Sequence, residues 1–405
     1  MPPSPHYRWY VVALTLVNQA VCIGIMVYAF ALFVVPWLEE FSISRGQVMV
    51  AIFITQFLTG ALSPLVGRFL DQYSIKYMVV AGSISISAGL LASSWTTEFW
   101  QIILIHATLL PIGTVLCGTL SSQTLVGKWF TTSRGIAIGI SAAGTSIGGF
   151  VFPLITAHLI GELDWRAALQ ILSLFSFVLL VPLNLIVLRE KPPVPDTANA
   201  DSIDPLLRNW RSQEILTTRV FWIPIAGLIP INLAFAAVQF NLGAYVSDLG
   251  FRQSFAAQLI SIGSISMIIG KFLFGGLSDR VDHRLLFWSM SLFLCAALLL
   301  YQGTPARTEL LAAAILQGIA TGGIMPMTGN AYASRFGTQS FGRVLGLANL
   351  FTMMGSFGSL LAGWLFDLTH TYDYVFWLLI AFQLPCAIAM YWLPPPAKVG
   401  QDDLL

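Results

Sequence analysis

Twelve runs of apolar residues divide this chain, each bounded by charge, proline or a polar turn. They fall near 9–36, 47–69, 76–95, 99–125, 135–160, 167–188, 220–247, 254–277, 285–301, 309–332, 342–366 and 373–393. A helix needs roughly 20 apolar residues to cross a bilayer. Lipid offers the backbone no hydrogen-bond partners, so a chain of such runs spans as helices. The expected fold is therefore an all-α polytopic membrane protein with twelve transmembrane helices. Composition agrees: 56% of residues are hydrophobic and 10% are Asp, Glu, Lys or Arg, against about 25% charged in soluble domains. Mean hydropathy is +0.78. Nucleic-acid binders and large cytosolic enzymes are excluded by that shortage of charge. Cys22, Cys117, Cys295 and Cys386 lie scattered in apolar stretches, without the close pairing of a zinc or redox motif. Tyr7-Arg8-Trp9-Tyr10 leads into the first run without a small-residue cleavage signal, so that run reads as a retained span.

A polar motif occurs twice among these runs. Gly67-Arg-Phe-Leu-Asp71 with Lys76 follows the second run, and Gly275-Gly-Leu-Ser-Asp279-Arg280 with Asp282 and Arg284 follows the eighth. The spacing of the two copies divides the chain into related halves, the usual build of a secondary transporter. Between the sixth and seventh runs lies the one long polar segment, which contains Pro192, Pro193 and Pro195. Two pseudo-symmetric six-helix bundles are expected, 1–190 and 219–405, joined by a linker over 191–218. Four basic residues (Arg45, Arg166, Arg252 and Arg307) fall on one set of loops and fifteen on the other set and the termini. By the positive-inside bias, both termini and the linker belong in the cytoplasm.

The remaining basic residue, Lys271, lies inside the eighth run, eight residues before Asp279 and about 12 Å from it along a helix. No Asp or Glu falls in the interior of any expected span. An ammonium at that depth is costly and commonly marks a transport path, with a substrate anion as counter-ion. The other reading is a lysine stem snorkelling to the surface. Weaker polar signals are Asn18, Gln19, Tyr28, Gln56, His106, Asn232, Gln239, Asn241, Gln317 and Asn349. Each is either substrate contact or glue between helices. His106 has the chemistry of a proton carrier and equally that of a hydrogen-bonded structural residue. Glycines recur at three- and four-residue spacing in the fifth run (Gly135, Gly139, Gly144, Gly148, Gly149) and the eleventh (Gly342, Gly346, Gly355, Gly358, Gly363). Such spacing allows helix backbones to approach closely. Asp71 and Asp279 are expected to latch a gate, with Arg134 and Arg343 as candidate partners.

With these residues in view, the whole chain resembles the major facilitator superfamily. Gly67-x-x-x-Asp71 with Lys76, and Gly275-x-x-x-Asp279-Arg280-x-Asp282-x-Arg284, look like its loop motif. Gly144, Gly148, Gly149 and Pro153 look like its fifth-span motif. The resemblance implies a rocker-switch cycle of alternating access around a central cavity. Within the superfamily, the chain looks most like the monocarboxylate and oxalate–formate transporter group. The signs are Arg8-Trp9-Tyr10, Tyr28-Ala-Phe30, Trp37-Leu-Glu-Glu-Phe41 with Ser44-Arg45, Lys128-Trp129-Phe130, and Tyr245 with Asp248. In that group a span-eight arginine binds the substrate carboxylate, and Lys271 stands at the matching position. Met267 and Leu32 replace an aspartate and a lysine of the animal carriers.

The expected function is secondary transport of a small organic anion, driven by proton coupling or anion exchange. Lys271, Tyr28, Asn241 and His106 would touch the substrate. The alternative is export of an amphiphilic drug or metabolite by proton antiport. No enzymatic activity, cofactor, metal or nucleic-acid partner is expected. The expected setting is the bacterial inner membrane, with the chain working as a monomer.

Overall fold

The structure, a computed structural model, describes residues 7–130, 134–189, 210–278, 280–336 and 341–394. Of Arg68, Asp71, Lys128, Arg134, Gly135, Phe341 and Gly342 it describes the backbone alone. Among the described residues, 12 helices are long and apolar enough to cross a membrane. In order they are Tyr7–Phe41, Arg45–Gly67, Ile75–Ser94, Phe99–Gly127, Ile136–Glu162, Trp165–Val187, Arg219–Asp248, Gln253–Leu277, His283–Leu300, Arg307–Phe336, Arg343–Thr369 and Asp373–Tyr391. The protein is an all-α, twelve-span integral membrane protein.

The expected boundaries differ most at the first span, which does not stop at Pro36. The helix continues to Phe41 and ends at Ser42, whose φ of 50° leaves the helical region. Proline inside a membrane helix is tolerated where neighbouring groups re-satisfy the backbone. The first span is also irregular nearer its middle: Gly24–Tyr28 forms a π turn, closed by the Ala29 amide donating to the Gly24 carbonyl at 3.0 Å.

Contacts gather the chain into two compact units. The first holds the first six spans together with Ala237–Ile265 and Ser359–His370. In it, the fifth span presses directly on the first. A Cβ added at Gly144 would lie 2.1 Å from the Leu16 carbonyl oxygen, and one at Gly148 would lie 2.0 Å from that of Ala20. Only hydrogen fits there, which is why the glycines are spaced one helical turn apart. Buried polar side chains tie the first span to the sixth and the fifth. Asn18 and Asn184 exchange amide hydrogen bonds of 2.8 and 3.0 Å. Gln19 donates to the carbonyl and hydroxyl of Ser141 at 2.9 and 2.7 Å, and that hydroxyl donates to Thr15 at 2.8 Å. Hydrocarbon provides no hydrophobic drive between helices, so close packing and such bonds hold them together.

The second unit comprises 210–236, Ser266–Gly358 and 371–394 among the described residues. It repeats the first unit's device with the eleventh and seventh spans: a Cβ at Gly358 would meet the Leu233 carbonyl oxygen at 1.9 Å. An apolar cluster of Trp210, Phe221, Tyr332, Phe336 and Val344 closes one end of it.

Gly148→Val is expected to drive the first and fifth spans apart, since overpacking commonly costs about 1–3 kcal/mol. Gly139→Ala, on the same helix with nothing within 4 Å of the added carbon, should be neutral. Melting of the purified protein followed by size-exclusion chromatography checks both. Equal melting temperatures for the two variants would refute the close approach.

Candidate functional site

The π turn places Tyr28 among three helices of the first unit. Tyr28 is buried. A Cβ at Gly149 of the fifth span would fall 2.3 Å from Ser264 Oγ of the eighth span and 2.9 Å from the Tyr28 ring. Glycine at 149 thus makes room for both side chains. Single π turns recur at functional positions because they re-aim the residues that follow. Two residues on, Phe30 meets Phe240 of the seventh span edge-to-face, with ring centroids 5.8 Å apart. Beside that pair, a Cβ at Gly243 would lie 2.0 Å from the Ala31 carbonyl oxygen. The first span therefore brings Tyr28 and Phe30, with Phe240, into a buried aromatic group where it meets the fifth, seventh and eighth spans.

His106 and Asn241 belong to this unit, and both are engaged by the protein. The His106 Nδ1 is 2.8 Å from Thr55 Oγ1, which also donates to the His106 carbonyl at 2.9 Å. Its ring stands edge-on to Phe30 and Trp37. Asn241 Nδ2 donates to the Ala237 carbonyl at 2.9 Å and the Ser359 carbonyl at 3.3 Å. Lys271 lies in the second unit, half-buried, on the eighth span. It shares a helical stripe with Met267, Gly270 and Phe274. There a Cβ at Gly270 would meet the Ile319 carbonyl oxygen at 2.2 Å, and one at Gly322 would meet that of Met267 at 2.3 Å. The opposite face carries exposed Ile265, Ile269 and Phe272. Lys271 thus flanks the face packed on the tenth span.

The repeated loop motif is quieter. Asp279, and the side chains of Asp71 and Arg134, lie outside the described residues. Lys76 is half-buried and Arg280 is exposed. Asp282 caps the ninth span by accepting from the Arg284 amide at 2.9 Å, and the Arg284 guanidinium sits 3.9 Å from the same carboxylate. Arg343 donates to the Trp210 carbonyl. Gly67 has nothing within 4 Å of an added Cβ, and Gly275 only Pro326 at 3.4 Å. Among the described residues, nothing packs closely enough to require either motif glycine.

The opposite helix ends are joined by residues that sequence reasoning did not single out. A helix begins with four amides that lack intrahelical acceptors. At the second span all four are served. Gln47 Oε1 accepts from the Ser44 amide at 2.9 Å, and Ser44 Oγ accepts from Gln47 at 3.4 Å, a reciprocal capping box. The Asp367 carboxylate of the eleventh span takes the remaining two, Arg45 at 3.0 Å and Gly46 at 2.8 Å. A Cβ at residue 46 would come within 2.8 Å of that carboxylate. The Arg45 guanidinium then forks onto both oxygens of Asp248, at the end of the seventh span, and lies 3.8 Å from the Phe366 ring centroid. Ser44-x-x-Gln47 was readable as a helix start; Asp367, more than 300 residues away, was not.

The sequence profile described as "Major Facilitator Superfamily" matches residues 17–306 and 259–404. The chain is similar to "MFS-type transporter 1" of Ophiocordyceps sp. (strain BCC 1869), with 27% identity over 70% of its length. It spans 61% of that fungal protein's own length. It is 26% identical to "Monocarboxylate transporter 13" of Bos taurus over 97% of this chain and 90% of the bovine one. Among solved structures, a bacterial homolog of the human lysosomal transporter Spinster, in an inward-facing and occupied conformation, superposes with a TM-score of 0.75. That match covers 96% of this chain and 97% of the other at 15% identity, and so speaks for the fold alone.

Asp367→Ala should strip two caps from the second span and lower stability by about 1 kcal/mol. Asp367→Asn, which keeps an accepting oxygen without the charge, should lose less. Thermal melting in detergent checks the order; Ala and Asn variants both melting as wild type would show the cap to be idle.

Proposed function

We propose that this chain, which belongs to the Major Facilitator Superfamily, is a secondary-active transporter that exports an amphiphilic organic metabolite by proton antiport. The reading rests on one observation above others. Of the polar side chains expected to touch substrate in the first unit, His106 and Asn241 are already bonded to Thr55, Ala237 and Ser359. What remains is largely aromatic: Tyr28, Phe30 and Phe240. Such a surface favours a solute with a substantial apolar part over lactate or oxalate. The cycle would be alternating access, with 1–190 and 219–405 as the moving bundles and 191–218 as a cytoplasmic linker. Glycine packing supports it. The Asp367 carboxylate sits against Gly46 and the Ala31 carbonyl against Gly243, whereas among the described residues the motif glycines Gly67 and Gly275 have no such close neighbour, as if their close approach belonged to another state. On the positive-inside assignment, the Arg45–Asp248 contact closes the outer face.

Lys271 supports a second reading, transport of a small organic anion of the monocarboxylate kind. No Asp or Glu lies in the interior of a described span, so this lysine either releases the exchanged proton or holds the anion. Arginine retains the charge but does not deprotonate, so Lys271→Arg separates the two roles. Proton antiport predicts loss of pH-driven transport in that variant, and anion binding predicts its retention. In thermal-shift assays on the purified protein, the amphiphile reading expects stabilisation to grow along acetate, butyrate, hexanoate and 4-phenylbutyrate. Stabilisation by lactate or oxalate equal to that by 4-phenylbutyrate would overturn it in favour of the small anion.

A further inference from the structure

Gln239 of the seventh span is 5% exposed, and among the described residues its Nε2 has no hydrogen-bond partner. A buried amide donor without an acceptor is unfavourable, and a bound solute is one way to satisfy it. Asn241, two residues on, shows the ordinary resolution: it donates back to the Ala237 carbonyl at 2.9 Å. Gln239 does not.

Its position follows from its neighbours. Gly243 and Gln239 are four residues apart and share a helix face, about 6 Å along the axis. Gly243 meets Ala31, and Phe240 meets Phe30. The first span ends at Phe41 beside Arg45, and the seventh ends at Asp248 on the Arg45 guanidinium, so the two helices run parallel. One turn before Gly243 therefore lies level with one turn before Ala31, which is Tyr28 and the π turn. Gln239, Tyr28 and Phe30 all fall within the first compact unit.

We infer that Gln239 is a specificity-determining residue, whose amide donates to an acceptor oxygen at the polar end of the solute while Tyr28, Phe30 and Phe240 cover its apolar part. The inference rests on the amphiphile reading. It assigns the solute an oxygen acceptor, a carboxylate or a carbonyl, and not an amine. A site built to donate one hydrogen bond discriminates against analogues that cannot accept it, by roughly tenfold for a single neutral bond.

Binding to the purified full chain should be measured with three probes that share one apolar body. They are 4-phenylbutyrate, its methyl ester (a neutral acceptor) and 4-phenylbutylamine (a cation without an acceptor). Gln239→Met keeps side-chain length without the amide, Gln239→Leu is a second such variant should the first fold poorly, and Gln239→Glu replaces the donor by an acceptor. Gln383→Leu is the control, because Gln383 is another buried glutamine with both amide atoms unpartnered. The expected result is roughly tenfold weaker binding of butyrate and ester in the Met variant, no change for the amine, and no change in the Gln383 variant. Gln239→Glu should favour the amine. Wild-type affinity for butyrate and ester in Gln239→Met would overturn the role of Gln239 while leaving the amphiphile reading intact. Failure of the wild-type protein to bind any of the three probes would overturn that reading, and this inference with it.

Discussion

The start of the second span sets the logic of the whole molecule: four backbone amides without intrahelical acceptors, met by four side-chain oxygens. Two acceptors are local, in Ser44 and Gln47. The other two are the oxygens of Asp367, brought by a helix that lies more than 300 residues further on. A negative carboxylate there is favoured twice, by hydrogen bonding and by the positive end of the helix dipole. The neighbouring Arg45–Asp248 pair adds less. Its guanidinium is mostly covered, but Asp248 is 37% exposed, and half-exposed pairs are worth at most about 1 kcal/mol. Backbone accounting therefore orders this end of the structure more strongly than charge pairing does.

The rest of the fold answers the same constraint. Helices in lipid cannot be gathered by the hydrophobic effect, so they are held where backbones touch or buried amides pair. Gly144 and Gly148 on the first span, and Gly358 on the seventh, are contacts of the first kind. Asn18 with Asn184 is one of the second. Contacts of this sort are all-or-none, because a carbonyl oxygen 2 Å from where a Cβ would stand leaves no room to slide.

Much of this was legible in the sequence. Run lengths gave the twelve helices to within a few residues, since hydropathy over some 20 residues is a strong signal. The exception was Pro36, where a local helix-breaking rule yielded to a membrane environment that tolerates the missing amide. The glycine-rich fifth and eleventh spans were also readable, but not the backbones they touch, because Leu16, Ala20 and Leu233 have no distinguishing chemistry. The site was less legible. His106 read equally as proton carrier or structural residue, and its partner Thr55, 51 residues away, carries no sequence mark. The expected latch at the repeated motif aspartates, conspicuous by charge and spacing, rests on side chains that lie outside the described residues. Asp367 was not singled out, because its capping role depends on a tertiary neighbour. The π turn at Gly24–Tyr28 left no trace in the apolar pattern.

The central claim is that the helix ends around Arg45 form a contact that opens and closes as a unit. Nitroxide labels at Glu39 and Arg252, both exposed beside that contact, report on it by double electron–electron resonance in lipid nanodiscs. Two distance populations are predicted, the shorter matching the structure, with Asp367→Ala shifting weight to the longer. One distance, unchanged by the substitution, would contradict the account.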